Sequence, residues 1–131
     1  MANLTKNGRP SLATVQPGYE HQHNNLVAGE ALVAGDFVYI HSGGTVRKAN
    51  GTAANAAAKY DGVVLQAAEI GDGVSVHQGV TIHYGSGLTP GARYYLATTA
   101  GLLSDAPTTG GDVPCAKAID ATRIYVIPPT R

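Results

Sequence analysis

The chain has one cysteine, no tryptophan, one phenylalanine and one methionine in 131 residues. A single thiol, Cys115, excludes an intrachain disulfide, so the fold was not built around an oxidising compartment. Charge is scarce as well. Asp, Glu, Lys and Arg make up 14% of the residues, against about 25% in an ordinary soluble domain. Nine basic residues balance nine acidic ones. That balance lacks the concentrated basic face nucleic acid requires, and it equally disfavours an electrostatic membrane anchor. No run approaches the ~20 apolar residues of a membrane span. Residues 1–11 hold no apolar core of signal-peptide length, so synthesis in the cytoplasm without a cleaved leader is expected. Interspersed charge keeps a free monomer dispersed. Its shortage points to a protein that spends its life packed against others, as an oligomer or an assembly component.

What the chain does have is glycine, 17 residues, and tyrosine, seven. Its length suits one domain that buries roughly two-thirds of its unfolded surface. The organising stretch is residues 71–85. Val74, Val76, Val80, Ile82 and Tyr84 share one parity, and Ser75, His77, Thr81 and His83 share the other. Strands send alternate side chains to opposite faces, so this is a buried face and a polar face. Gly79 keeps the parity, which fits a bend in one long strand or a tight reversal between two short ones.

Further strands are expected at 37–41, 45–49, 62–67, 93–97, 102–104, 113–119 and 122–127, separated by Gly-rich turns. Gly35-Asp36-x-Val and Gly71-Asp72-x-Val repeat one device, a turn that launches a strand. Residues 52–59 hold the only good helix formers, enough for one turn or an ordered loop, with Thr52 as a possible cap. Seven or eight short strands spell an all-β fold, a small antiparallel sandwich or barrel with a jelly roll among the possibilities. The β domain is expected over 26–131. Residues 1–25 show no sustained period and read as an extended N-terminal arm, whose Leu4, Leu12, Val15 and Tyr19 a purely solvated tail would not need.

Chemistry is harder to find. Cys115 alternates among apolar neighbours with nothing nearby to lower its pKa, and reads as a buried, inert thiol. No nucleophile elbow or phosphate-binding loop occurs. The aspartates sit in turns, and no carboxylate pair of glycosidase type is nominated. His21-Gln22-His23 puts two imidazoles on one side of an extended segment. His77 and His83 are about 20 Å apart if their stretch is one strand, and could approach only if it reverses at Gly79. Zinc sites declare more ligands than this, so neither a metal nor another cofactor is expected. Tyr94 and Tyr95 must point to opposite faces, one to the core and one outward.

Ala34-Gly35-Asp36-Phe37-Val38, the run from Gly62-Val63-Val64-Leu65 to Gly73-Val74-Ser75-Val76, Gly87-Leu88-Thr89-Pro90-Gly91-Ala92-Arg93-Tyr94-Tyr95-Leu96 and the closing run of residues 116–126 resemble small β modules of tailed bacteriophages. The likeness is to head decoration, or capsid cement, proteins, over residues 26–127. Similar phrases occur in tail-fibre and tailspike modules, which leaves a glycan-binding β module as the alternative. The resemblance implies a non-enzymatic homotrimer on the outer capsid surface of the virion that pins neighbouring subunits of the major capsid protein, with no catalytic residues. Under that reading the arm lies along the capsid through Leu4, Arg9, Leu12, Val15 and Tyr19. His77, His83 and Tyr95 are then the expected oligomer interface.

Overall fold

The computed structural model of the chain describes residues 3–12, 22–52 and 55–129. Its strands, in chain order, are β1 (Lys6–Leu12), β2 (Gln22–Ala28), β3 (Phe37–Ile40), β4 (Thr45–Lys48), β5 (Gly62–Val63), β6 (Gly73–His77), β7 (Thr81–Gly85), β8 (Arg93–Leu96), β9 (Leu103–Ser104), β10 (Ala116–Ala118) and β11 (Arg123–Val126). The fold is all-β. Five strands close a barrel in the order β2-β4-β3-β5-β6, and six form a sheet in the order β1-β7-β11-β10-β8-β9. Among the described residues every strand pairing is antiparallel except β2 with β4.

The two Gly-Asp turns share one hydrogen-bonding pattern, and each pairs with the strand segment that precedes the other. Asp36 accepts the Val33 N–H at 2.9 Å, and Asp72 accepts the Glu69 N–H at the same distance. Gly35 has φ +91° and Gly71 φ +92°, a left-handed conformation that glycine adopts without steric cost. Beyond the turns the match continues bond for bond at a constant offset. Gly35 N–H donates to Val64 O as Gly71 N–H donates to Ala28 O, and Leu32 and Ala68 exchange both their N–H···O bonds midway between the two turns' equivalent pairings. Strand register follows, with Phe37 opposite Val63 and Gly73 opposite Val27. The turn at residues 89–92 repeats the pattern without an Asp. There Ala92 N–H donates to Thr89 O, Gly91 N–H to Ala118 O and Ala118 N–H to Ala92 O.

The barrel encloses Ala28, Leu32, Val38, Val46, Val64 and Val76, each 2% exposed or less. A second, larger core lies where barrel residues Phe37, Ala49, Tyr60 and Val63 meet Ile82, Tyr84, Leu96 and Val126 of the six-stranded sheet. Each large apolar side chain buried this way contributes roughly 1.5–3 kcal/mol. The Tyr60 ring meets Phe37 edge-on at 6.0 Å, and its hydroxyl donates to Ile127 O at 2.6 Å. Among the described residues no helix is long and apolar enough to cross a membrane.

Three expectations change. Residues 71–85 are neither one strand nor a hairpin. β6 belongs to the barrel and β7 to the sheet. The chain passes between them at Gly79 (φ +63°), whose N–H donates to Val126 O at 2.8 Å. The alternating parity survives because both strands turn their apolar face to the interior. Second, strand pairing begins at Lys6, not near Leu26. β1 pairs with β7, and β2, which begins at Gln22, pairs with β6, so the described part of the expected arm is built into the two sheets. Third, the helical stretch is a single 3₁₀ turn at Ala56–Ala58, capped by the Asn55 side chain on Ala57 N–H, not by Thr52.

Candidate docking face

The six-stranded sheet separates its residues cleanly by parity. Tyr94 and Leu96 on β8, Ala116 and Ala118 on β10, Ile124 and Val126 on β11, and Ile82 and Tyr84 on β7 are all buried. The alternate positions, Arg93, Tyr95, Lys117, Arg123, Tyr125, Thr81 and His83, therefore share the opposite, outward face. Register lines them up. Lys117 stands directly opposite Arg93 on one side and Tyr125 on the other, and Tyr125 stands opposite Thr81. A second row sets Arg123 opposite His83, and His83 opposite Ser11. Directly opposed residues hold their Cβ atoms about 5 Å apart.

The charges on this face are unequal in their partners. Asp120 lies at the turn before β11. Its Oδ2 accepts from Arg123 Nε at 2.8 Å, and its Oδ1 accepts the N–H groups of Thr122 at 2.9 Å and Arg123 at 2.8 Å. The Thr122 N–H, followed by the Arg123 guanidinium, holds this carboxyl down to about 2. Arg123 is thus neutralised locally. Arg93 and Lys117 are exposed and have no carboxylate partner among the described residues.

Four of the other acids are committed to backbone. Glu30 accepts the Lys48 N–H, Asp61 the Ile40 N–H, and Asp36 and Asp72 close their turns. Asp36 does more. Its buried carboxylate meets Lys6 Nζ at 3.0 Å and lies 4.0 Å from Lys48 Nζ. A recess of about 530 Å³ is lined by Lys59, Tyr60, Leu96, Asp112 and Val113, with Asp112 the one carboxylate among its described lining residues. Cys115 is fully buried with Sγ 3.6 Å from Tyr94 O, and burial pushes its thiol well up.

The residues singled out from the sequence scatter. His83 and Tyr95 share the outward face described above, and Tyr94 takes the core position its neighbour leaves. His77 is on β6 in the barrel. It is half-buried, its Nδ1 has no hydrogen-bond partner among the described residues, and burial lowers its pKa from the ordinary 6.5. The three residues expected to form one oligomer interface therefore do not share a sheet. Leu4 is packed on the larger core, with its N–H bonded to Leu103 O at 2.9 Å, so its apolar side chain serves the fold. Arg9 and Leu12 lie on β1. Val15, Tyr19 and His21 fall outside the described residues. Among the described residues no group of three His, Cys, Asp or Glu could hold a metal.

Sequence reasoning missed the Arg93–Lys117 pairing and the Lys6–Asp36 ion pair. Each joins residues far apart in the chain. The available signal was parity: Arg93-x-Tyr95, Lys117 between two alanines, and Arg123-x-Tyr125 all place cations or tyrosines on the solvent side of strands. No known family model matches the chain, and no curated protein matches it.

Proposed function

We propose that this protein is a structural virion component: a decoration, or cement, module that binds the outer surface of a tailed-phage head as a homotrimer and bridges subunits of the major capsid protein. The observation that carries the reading is the outward face of the six-stranded sheet. It sets tyrosines and cations on regular strands backed by a packed core, an arrangement suited to docking against another protein. Of the phrases that resemble head decoration proteins, those over residues 87–96 and 116–126 fall on β8, β10 and β11, elements that build this face. A trimer engages several capsid subunits at once, so individually weak contacts add through effective concentration. The scarcity of ionised side chains suits a surface that is covered in the assembled particle.

The test is co-sedimentation of the purified protein with expanded capsids that lack their decoration protein. Saturable binding at a stoichiometry divisible by three, with a raised temperature of capsid rupture, is expected. Absence of binding, together with saturable hits on a glycan array, would replace this reading with that of a tail-fibre module. A strict monomer by light scattering at high concentration removes the trimer.

A further inference from the structure

We propose that the Arg93–Lys117–Tyr125 row, with Tyr95 beside it on β8, is the contact surface for a carboxylate-rich face of a partner protein. The inference rests on reading the chain as a docking module and names the charge that its partner presents.

Arg93 and Lys117 project outward from adjacent strands at directly opposed positions, and both are exposed. Like charges placed directly opposite across a sheet destabilise it. Nothing in the core requires them, because both side chains point away from it. The chain carries only nine cations, and Lys6, Lys48 and Arg123 already face carboxylates. Two cations side by side with no carboxylate partner among the described residues are therefore a costly arrangement for the free protein. A carboxylate seated between them turns the repulsion into two charge-assisted hydrogen bonds, and the planar guanidinium of Arg93 can hold it by both oxygens.

The flanking tyrosines narrow the partner. Tyr125 stands opposite Lys117, and Tyr95 follows on the same face two residues after Arg93. Both are half-buried, so little side-chain freedom is lost on contact, and each offers an apolar ring with a polar tip. Nucleic acid fits less well. Two such cations in a chain of zero net charge neutralise few phosphates, and stacking bases needs open ring faces. Complementary charge on a protein surface fits both the cations and the tyrosines.

The experiment uses the full chain, isotopically labelled, titrated at low salt with a synthetic peptide of alternating Glu and Ala and observed by NMR. Shift changes confined to β8, β10 and β11 are expected. The Arg93→Gln/Lys117→Gln double variant should bind the peptide roughly ten-fold more weakly, while Lys59→Gln binds it unchanged. The melting temperature of the double variant should equal or exceed that of the parent, which separates lost binding from lost folding. The proposal is overturned if shifts map elsewhere or are absent, if the double variant binds as well as the parent, or if an oligodeoxythymidylate occupies the same face more tightly. Capsid binding that survives a failed peptide titration would leave the cement reading standing and this face wrong. A mapped peptide without capsid binding would do the reverse.

Discussion

Lys6 and Asp36 meet between the edge strand of the six-stranded sheet and the turn that opens β3 of the barrel, with Nζ 3.0 Å from Oδ1 and the carboxylate side chain 3% exposed. Lys6 Nζ also donates to Ala34 O at 3.3 Å. Removing one partner of a buried pair leaves an uncompensated charge, which costs about 3 kcal/mol. Lys6→Met should lower stability by about that amount in chemical denaturation, tempered by Lys48 Nζ at 4.0 Å. A loss below about 0.5 kcal/mol, the level of an exposed pair, would show that the contact contributes no more than a surface salt bridge.

The paired turns allow an internal comparison. Asp36 and Asp72 make the same bond to backbone, but only Asp36 is buried. Asp72→Ala should cost about 1 kcal/mol, the worth of one hydrogen bond. Asp36→Ala should cost roughly three times as much, because Lys6 loses its partner as well. Equal losses would mean that turn closure is the whole role of both residues.

Arg93 faces Lys117 with no carboxylate partner among the described residues, so charge reversal at one of them should help the fold. Arg93→Glu places opposite charges across β8 and β10 and should raise stability by about 0.5 kcal/mol at low salt, with the gain shrinking as salt is added. A thermal melt series in salt measures this. Destabilisation by the substitution would show that the arginine already has a favourable role in the free protein.

His77 sets the direction of a pH effect. Burial lowers its pKa below 6.5, so the folded state binds protons less readily than the unfolded chain. Its contribution to stability is then fully present above 6.5 and is lost as pH falls through the folded value. His77→Gln should flatten the fall in melting temperature just below pH 6.5 and leave the curve unchanged near pH 8. An identical slope in both proteins would remove His77 as its source.

Cys115 should react with a thiol reagent only as fast as the protein opens, since it is fully buried and its thiol is held protonated. Rapid labelling of the native chain would contradict that burial.

Much of the architecture was legible as local pattern. The alternation in Arg93-Tyr94-Tyr95-Leu96 requires Tyr94 and Tyr95 to face opposite ways, and the structure puts Tyr94 in the core. The Gly-Asp repeat marked both turns, although the extent of their shared bonding pattern appeared only in the bonds around Leu32 and Ala68. The passage at Gly79 was less readable. A bend, a reversal and a change of sheet all preserve the same parity.

By itself the sequence determined that the chain is built of short pleated segments, which side of most of them faces inward, and where several of the turns fall. Those properties depend on residues within a few positions of each other. Tertiary structure alone decided which sheet each strand joins, that Asp36 and not Asp72 is buried beside a lysine, and that Arg93 stands opposite Lys117. Strand partners and register are chosen by packing between segments remote in the chain, and a local pattern of alternation is compatible with many such choices.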